Sequence, residues 1–310
     1  METKMETMPL PDAPEHGRIR RLSTALTRRL SMLFLIVITV TILSAALVRL
    51  APGLGMDERQ FDLRLGNAAD NQGLQARIRS PGIFRLVSDL ILGLVRGDWG
   101  VSLSLRRPIR ELFAERALLS LETLTAGLLT AWAASFAGAL LLAWLRRPEL
   151  DVCATLATGA WLCLPAAVVA LLFLYLQGAP ALALAAILIP RIFRYVRNIL
   201  KAASRQPYVM AARARGVGAT ALLLRHICRP AAPELLALAG VSVSMAVSAM
   251  IPVEALCDSP GIGQLVWQSA SARDLPVLLH LTMLIALVTC LANLISDSAR
   301  TLLAREVTPT

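Results

Sequence analysis

Charge is what this sequence has least of. Only 17% of its 310 residues are Asp, Glu, Lys or Arg, while 56% are hydrophobic. A soluble domain of this length carries about a quarter charged residues, so the mean hydropathy of +0.63 points to a surface lying against lipid. Cysteine patterning is also missing. Cys153, Cys163, Cys228, Cys257 and Cys290 are scattered, with no C-x-x-C pair and no His–Cys cluster, which excludes a disulfide framework or a zinc site. Four of them fall in or beside apolar runs, where a free thiol behaves as a small hydrophobe. No metal-ligand cluster, cofactor motif or internal repeat is visible. There is also no G-x-x-x-x-G-K-[ST], so any ATP chemistry must come from another polypeptide.

What is present is a series of apolar runs near 20 residues, the length that crosses a hydrocarbon layer of about 30 Å. Six spans are expected: Leu30–Leu50, Leu118–Leu145, Val152–Gln177, Ala179–Asn198, Leu235–Leu256 and Val277–Ser296. The fourth is the weakest, because Arg191 and Arg194 fall within it; both can snorkel to the headgroups. A polar, arginine-rich stretch precedes the first run, which is long enough to be an uncleaved anchor.

The formal charge of +10 sits between apolar runs rather than on one polar domain. That arrangement fits cytoplasmic retention of loops better than nucleic-acid binding. Arg146 and Arg147 separate spans two and three, and residues 191–233 hold nine Lys/Arg and no acid. The links after spans three and five carry only Arg273, against Asp258 and Asp274. Positive-inside reasoning therefore expects a multi-pass inner-membrane protein with both termini cytoplasmic. Residues 1–29 and 301–310 would be cytoplasmic, 30–300 the transmembrane domain, and 51–117 a long external region. Within that region Ile83, Phe84, Leu86, Val87, Leu90, Ile91, Leu94 and Val95 recur at helical spacing. They predict an amphipathic helix, lying along the bilayer or packed as an ordinary surface helix.

The cytoplasmic segment 199–233 contains Tyr208-Val209-Met210-Ala211-Ala212-Arg213-Ala214-Arg215-Gly216-Val217-Gly218. Its alanines favour helix, and Gly216 and Gly218 allow a sharp turn with positive φ. A second helix is expected over Ala221–Cys228, stopped by Pro230 and Pro233 before span five. Two short helices joined at a glycine would make a projecting knob; the plain alternative is a solvated basic loop that only fixes topology.

Here the chain resembles the permeases of the dipeptide, oligopeptide and nickel ABC import family. Tyr208-Val209-x-x-Ala212-Arg213-Ala214-Arg215-Gly216 is similar to that family's cytoplasmic EAA loop. Gly97-Asp98-Trp99-Gly100-Val101-Ser102, Pro108-Ile109, Leu121-Glu122-Thr123-Leu124 and Leu164-Pro165 resemble further family elements, in the family's order. So do Val253-Glu254-Ala255, Ser259-Pro260-Gly261-Ile262-Gly263, Arg273-Asp274-x-Pro276-Val277 and Asn293-Leu294-x-x-Asp297. Each is short, but together they cover roughly residues 30–300. Two features depart from the pattern. Met210 stands where the loop's naming glutamate falls, and the link between spans three and four is only Gly178-Ala179-Pro180.

The resemblance implies an all-α membrane protein of about six transmembrane helices with type I ABC importer permease architecture, without enzymatic activity or cofactor of its own. It implies pairing with a second permease subunit (a similar chain or a copy of itself), two cytoplasmic ABC ATPase subunits and an extracytoplasmic solute-binding protein. The solute would be a di- or oligopeptide, nickel or another small solute. Tyr208, Met210, Ala211, Ala212, Arg213, Ala214, Arg215 and Gly216 would couple to the ATPase, with Ala211, Ala212 and Gly216 seated in its cleft.

Two other classes compete. An intramembrane serine protease would use Ser242, in a Gly-x-Ser pattern, with His280. A Ser in an apolar helix usually bonds its own backbone, and small-residue patterns serve close packing. An ion-driven secondary transporter expects mid-membrane acids and a repeat. Glu122, Glu254 and Asp297 lie near span ends, where interfacial placement or interhelical hydrogen bonding accounts for them.

Overall fold

The computed structural model describes residues 99–307, apart from positions 103, 146 and 273, and scattered positions between 31 and 97. The expected span Leu30–Leu50 and the amphipathic stretch around Ile83–Val95 fall, but for isolated positions, outside the described residues. So do residues 1–29 and 308–310.

The rest is helical, with no strand among the described residues beyond one isolated bridge between Val101 and Pro108. The elements are α1 (Ile109–Leu145), α2 (Pro148–Leu162), α3 (Ala166–Tyr175), α4 (Pro180–Ser204), α5 (Pro207–Ala214), α6 (Ala219–Ala221), a π-helical turn Leu222–Cys228, α7 (Arg229–Leu256), α8 (Ile262–Ser271) and α9 (Leu275–Val307). Among the described residues, three helices are long and apolar enough to cross a membrane: Ile109–Leu145, the continuous run Ala219–Leu256, and Pro276–Arg300. The pair α2 and α3 would make a fourth if it is one span, but its halves meet at 87°.

That break corrects the continuous span expected over Val152–Gln177. Pro165 disfavours helical backbone at Leu164, and Pro165 itself, at φ −59° and ψ 139°, precedes α3 in extended geometry. The bend is pinned from both sides. Trp161 Nε1 donates to the Ala186 carbonyl at 3.0 Å, and Cys257 Sγ approaches the Ala170 carbonyl at 3.6 Å. The short link to α4 closes with Gln177 at φ 52° and Gly178 N donating to the Phe173 carbonyl.

The weak fourth run proves to be the centre of the bundle. Leu184, Leu188, Ile192, Val196 and Leu200 recur every four residues along α4 and are all buried. One stripe at that spacing is an interior face, and it packs chiefly on α1 and α7. Arg191, Arg194 and Lys201 remain exposed on the other side, which explains why α4 is not itself apolar enough to count as a span.

Two helices run past the expected spans: α1 begins at Ile109, ahead of Leu118, and α9 continues to Val307, while its stretch long and apolar enough to cross a membrane ends at Arg300. Pro230 and Pro233 do not stop the chain either. Leu222–Cys228 widens into π geometry, and Arg229 N reaches back five residues to the Leu224 carbonyl. Proline lacks an N–H and crowds the carbonyl four residues before it. Changing register just ahead of Pro230 lets the helix continue through both prolines.

Candidate functional site

The segment 205–228 folds as one short helix, α5, and a turn at Gly216; beyond it the chain enters the continuous run Ala219–Leu256 instead of a second short helix. Gln206 is extended (φ −69°, ψ 145°) and Pro207 opens α5, a first-turn position where a missing N–H costs nothing. The inner face of α5 is Val209 and Ala212, both fully buried within the main core that also holds Leu222 and Ile227. The outer face carries Tyr208, Met210, Ala211, Arg213 and Ala214, with Arg215 and Gly216 following, all exposed.

The helix ends in a Schellman motif. Val217 N donates to the Ala212 carbonyl at 3.3 Å and Gly216 N to the Arg213 carbonyl at 3.0 Å, with Gly216 at φ 80°. A residue in left-handed backbone closes such a motif, and glycine adopts it without strain. Val217 then tucks against the core, as the residue after the turn usually does. Gly218 differs: at φ −59° and ψ 150° it needs no special backbone. Burial raises the Tyr208 phenol above its usual value, and the Glu234 carboxylate adds to that.

Of the eight expected coupling residues, seven therefore share one exposed surface. Ala212 does not. It faces the bundle, which corrects its assignment to a partner's cleft: the i, i+3 spacing of Val209 and Ala212 puts them on one inward stripe.

At the opposite ends of α7 and α9 the structure joins the remaining motifs. Asp274 Oδ2 accepts from the Ser102 hydroxyl at 2.5 Å and from Ser104 N and Oγ at 3.0 and 2.8 Å. Glu254 is fully buried. Its Oε2 accepts from Ser120 Oγ at 2.9 Å and from Gly263 N at 2.7 Å, while Ser120 Oγ accepts from Ile262 N at 2.6 Å. The Ser120–Glu254 bond joins α1 to α7, the interhelical hydrogen bonding expected of Glu254. A Cβ at Gly261 would lie 2.1 Å from Glu254 Oε2, so glycine there makes room for the carboxylate.

The protease pair does not form. Ser242 Oγ donates to the Ala239 carbonyl and accepts from Trp132 Nε1 at 2.9 Å. His280 stacks on Trp99 at 6.1 Å, with Nδ1 2.6 Å from the Pro276 carbonyl. Each has partners of its own, and no group of three potential metal ligands exists among the described residues.

One cluster escaped sequence reasoning. Asp151 of α2 is gripped by Arg197 Nε at 2.5 Å and Lys201 Nζ at 2.9 Å, both from α4. Arg197 and Lys201 four apart on one helix were the available signal, but nothing in the sequence brings Asp151 to them.

Residues 131–309 match the family model described as binding-protein-dependent transport system inner membrane component. The chain is similar to a glutathione transport system permease protein of Salmonella choleraesuis, 28% identical over 228 residues, covering 67% of this chain and 74% of that one. Its counterpart in Escherichia coli K12 is 27% identical over the same shares. A protein of Brucella ovis named as a peptide permease is 32% identical over 108 residues, 35% of this chain. The match spans about a third of the Brucella protein's length, 34%.

Proposed function

The chain belongs to the family of binding-protein-dependent transport system inner membrane components, and from that premise we propose that it is the membrane-spanning permease subunit of an ATP-driven importer, coupled to its ATPase through α5. The observation that carries the reading is the exposed face of α5 and its glycine turn, standing on a buried Val209–Ala212 foot. A rigid knob anchored this way transmits displacement into α4 and α7 instead of absorbing it, because packed helices move as bodies. ATP bound by a partner would favour one arrangement of the bundle through its differential affinity for that state.

The partners that fit are two cytoplasmic ABC ATPase chains, a second permease subunit and an extracytoplasmic solute-binding protein. α5 and residues 199–233 then lie in the cytoplasm with both termini. The solute class is a small peptide, of which glutathione is one example. Support comes from the peptide and glutathione permease names of the similar proteins.

The test is cross-linking in membranes. Ala211→Cys, exposed on α5, is paired with single cysteines in the ATPase cleft of the co-expressed assembly. A cross-link to the ATPase that changes in yield on adding ATP is the expected result. Labelling of Ala211→Cys only by reagents added from outside the cell would overturn the reading.

A further inference from the structure

Beside the knob, bordered by Arg213 of its exposed face, a cleft of about 300 Å³ opens where α1 ends, α2 begins, α4 ends and α5 passes. Its polar side holds Arg147, Arg197, Lys201, Arg213 and Asp151, four cations around one acid. Asp151 is already committed to Arg197 and Lys201. Arg147 and Arg213 are exposed and make no ion pair among the described residues. The opposite wall is apolar, with Leu142, Leu200 and Leu223, and Trp144 at the rim is 53% exposed.

Two unpaired arginines over an apolar wall, with a tryptophan at the end of an apolar helix, have the chemistry of a headgroup-level lipid site. Indole rings settle at that depth, and basic pockets between membrane helices take anionic headgroups. We infer that this cleft binds an anionic phospholipid, with its phosphate between Arg147 and Arg213 and an acyl chain along Leu142, Leu200 and Leu223. Arg213 belongs to α5, so the lipid ties the knob to α2 and α4. That consequence rests on the proposed coupling role of α5; the binding site itself does not.

The shared chemistry is a phosphate monoanion or dianion, and the source is settled by fluorescence. The full chain in phosphatidylcholine nanodiscs is titrated with brominated phosphatidylglycerol or brominated phosphatidylcholine, which quench tryptophans they touch. The expected result is a preference for phosphatidylglycerol of at least about fivefold, carried by Trp144 and therefore absent in Trp144→Phe. Arg147→Gln/Arg213→Gln should bring the preference near unity. Arg191→Gln/Arg194→Gln, which removes equal charge from the exposed side of α4, should leave it intact. Quenching by brominated phosphatidylcholine should be the same in the wild type and both arginine double variants, which checks that each is folded. Equal loss in both double variants would reduce the effect to general surface charge and overturn the site. Displacement of the brominated phosphatidylglycerol by millimolar inorganic phosphate would assign the cleft to a free anion and overturn the lipid. None of these readouts involves ATPase or uptake, so a failed coupling role would leave them standing.

Discussion

Asp274 and Ser102 stand 172 positions apart in the chain and meet in a 2.5 Å hydrogen bond. Around it Asp274 also takes Ser104 through backbone and hydroxyl, and it sits immediately before α9, its carbonyl accepting from Leu278 N. One buried carboxylate thus closes the segment ahead of α1 onto the start of α9. Trp99 reinforces the joint, edge-on to Phe113 at 5.3 Å and stacked on His280.

Removing that carboxylate should loosen both elements together. Asp274→Ala leaves four donors without their acceptor, Ser102 Oγ, Ser104 N, Ser104 Oγ and Val277 N, and hydrogen bonds to a charged group contribute about 1.5–3 kcal/mol each. The expected outcome is a clear drop in the thermal midpoint of the detergent-solubilised chain. Ser102→Ala, which deletes one donor to Asp274 and the acceptor of Leu105 N, should cost less. Equal effects, or none from Asp274→Ala, would show that the joint does not hold these segments.

A second pair of substitutions separates two kinds of glycine. Gly261→Ala places a methyl 2.1 Å from Glu254 Oε2 and 2.5 Å from Ser120 Oγ, so it should cost about 1–3 kcal/mol as overpacking. Gly159→Ala, in α2 with nothing within 4 Å, should hold or raise stability by up to about 1 kcal/mol. Scanning fluorimetry of the two variants reads the contrast, and the same sign for both would sink it.

These contacts explain what a reader of the sequence can and cannot obtain. Hydropathy located α1, α7 and α9, because a long apolar run against lipid needs no partner to be recognised. The Gly216 turn was legible because positive φ is a local requirement. Ala212 was misplaced because its burial depends on Leu222 and Ile227, which only the fold brings beneath it. The π turn was invisible for a related reason: two prolines read as a stop unless the preceding register is known to widen. Asp151 finding Arg197 and Lys201 is a tertiary event with no sequence signature.

The charge asymmetry of residues 191–233 predicts that this segment stays on the cytoplasmic side. An alkaline phosphatase reporter, active only outside the cytoplasm, should be silent when fused at Thr220 and active at Leu265. The inverse pattern would place α5 outside and remove any contact with an ATPase.

The sharpest prediction concerns Gly216. Its φ of 80° is one that an L side chain adopts at a cost of about 1–2 kcal/mol, yet a Cβ there meets nothing within 4 Å inside the chain. The chain alone should therefore tolerate Gly216→Leu with modest strain and still insert, since the spans are untouched. Any large loss must come from outside the chain, where the turn would seat in a partner. The expected outcome is near-normal membrane level with ATP-driven uptake reduced at least about tenfold, through lost ATPase binding or uncoupled hydrolysis. Gly216→Asn is the diagnostic companion, because asparagine visits left-handed backbone with less strain and is smaller; it should retain more uptake. Gly218→Ala, two residues on at ordinary φ with open space around it, should be close to wild type, as should Arg205→Ala before the helix. Ala212→Asp should behave differently from all of these. Its charge would be buried in the chain's own core, where desolvation is costly, so the protein level itself should fall. Wild-type uptake and ATPase binding in Gly216→Leu would leave α5 as a topology anchor and nothing more, because a side chain at 216 meets nothing within the chain and would have nothing to meet outside it.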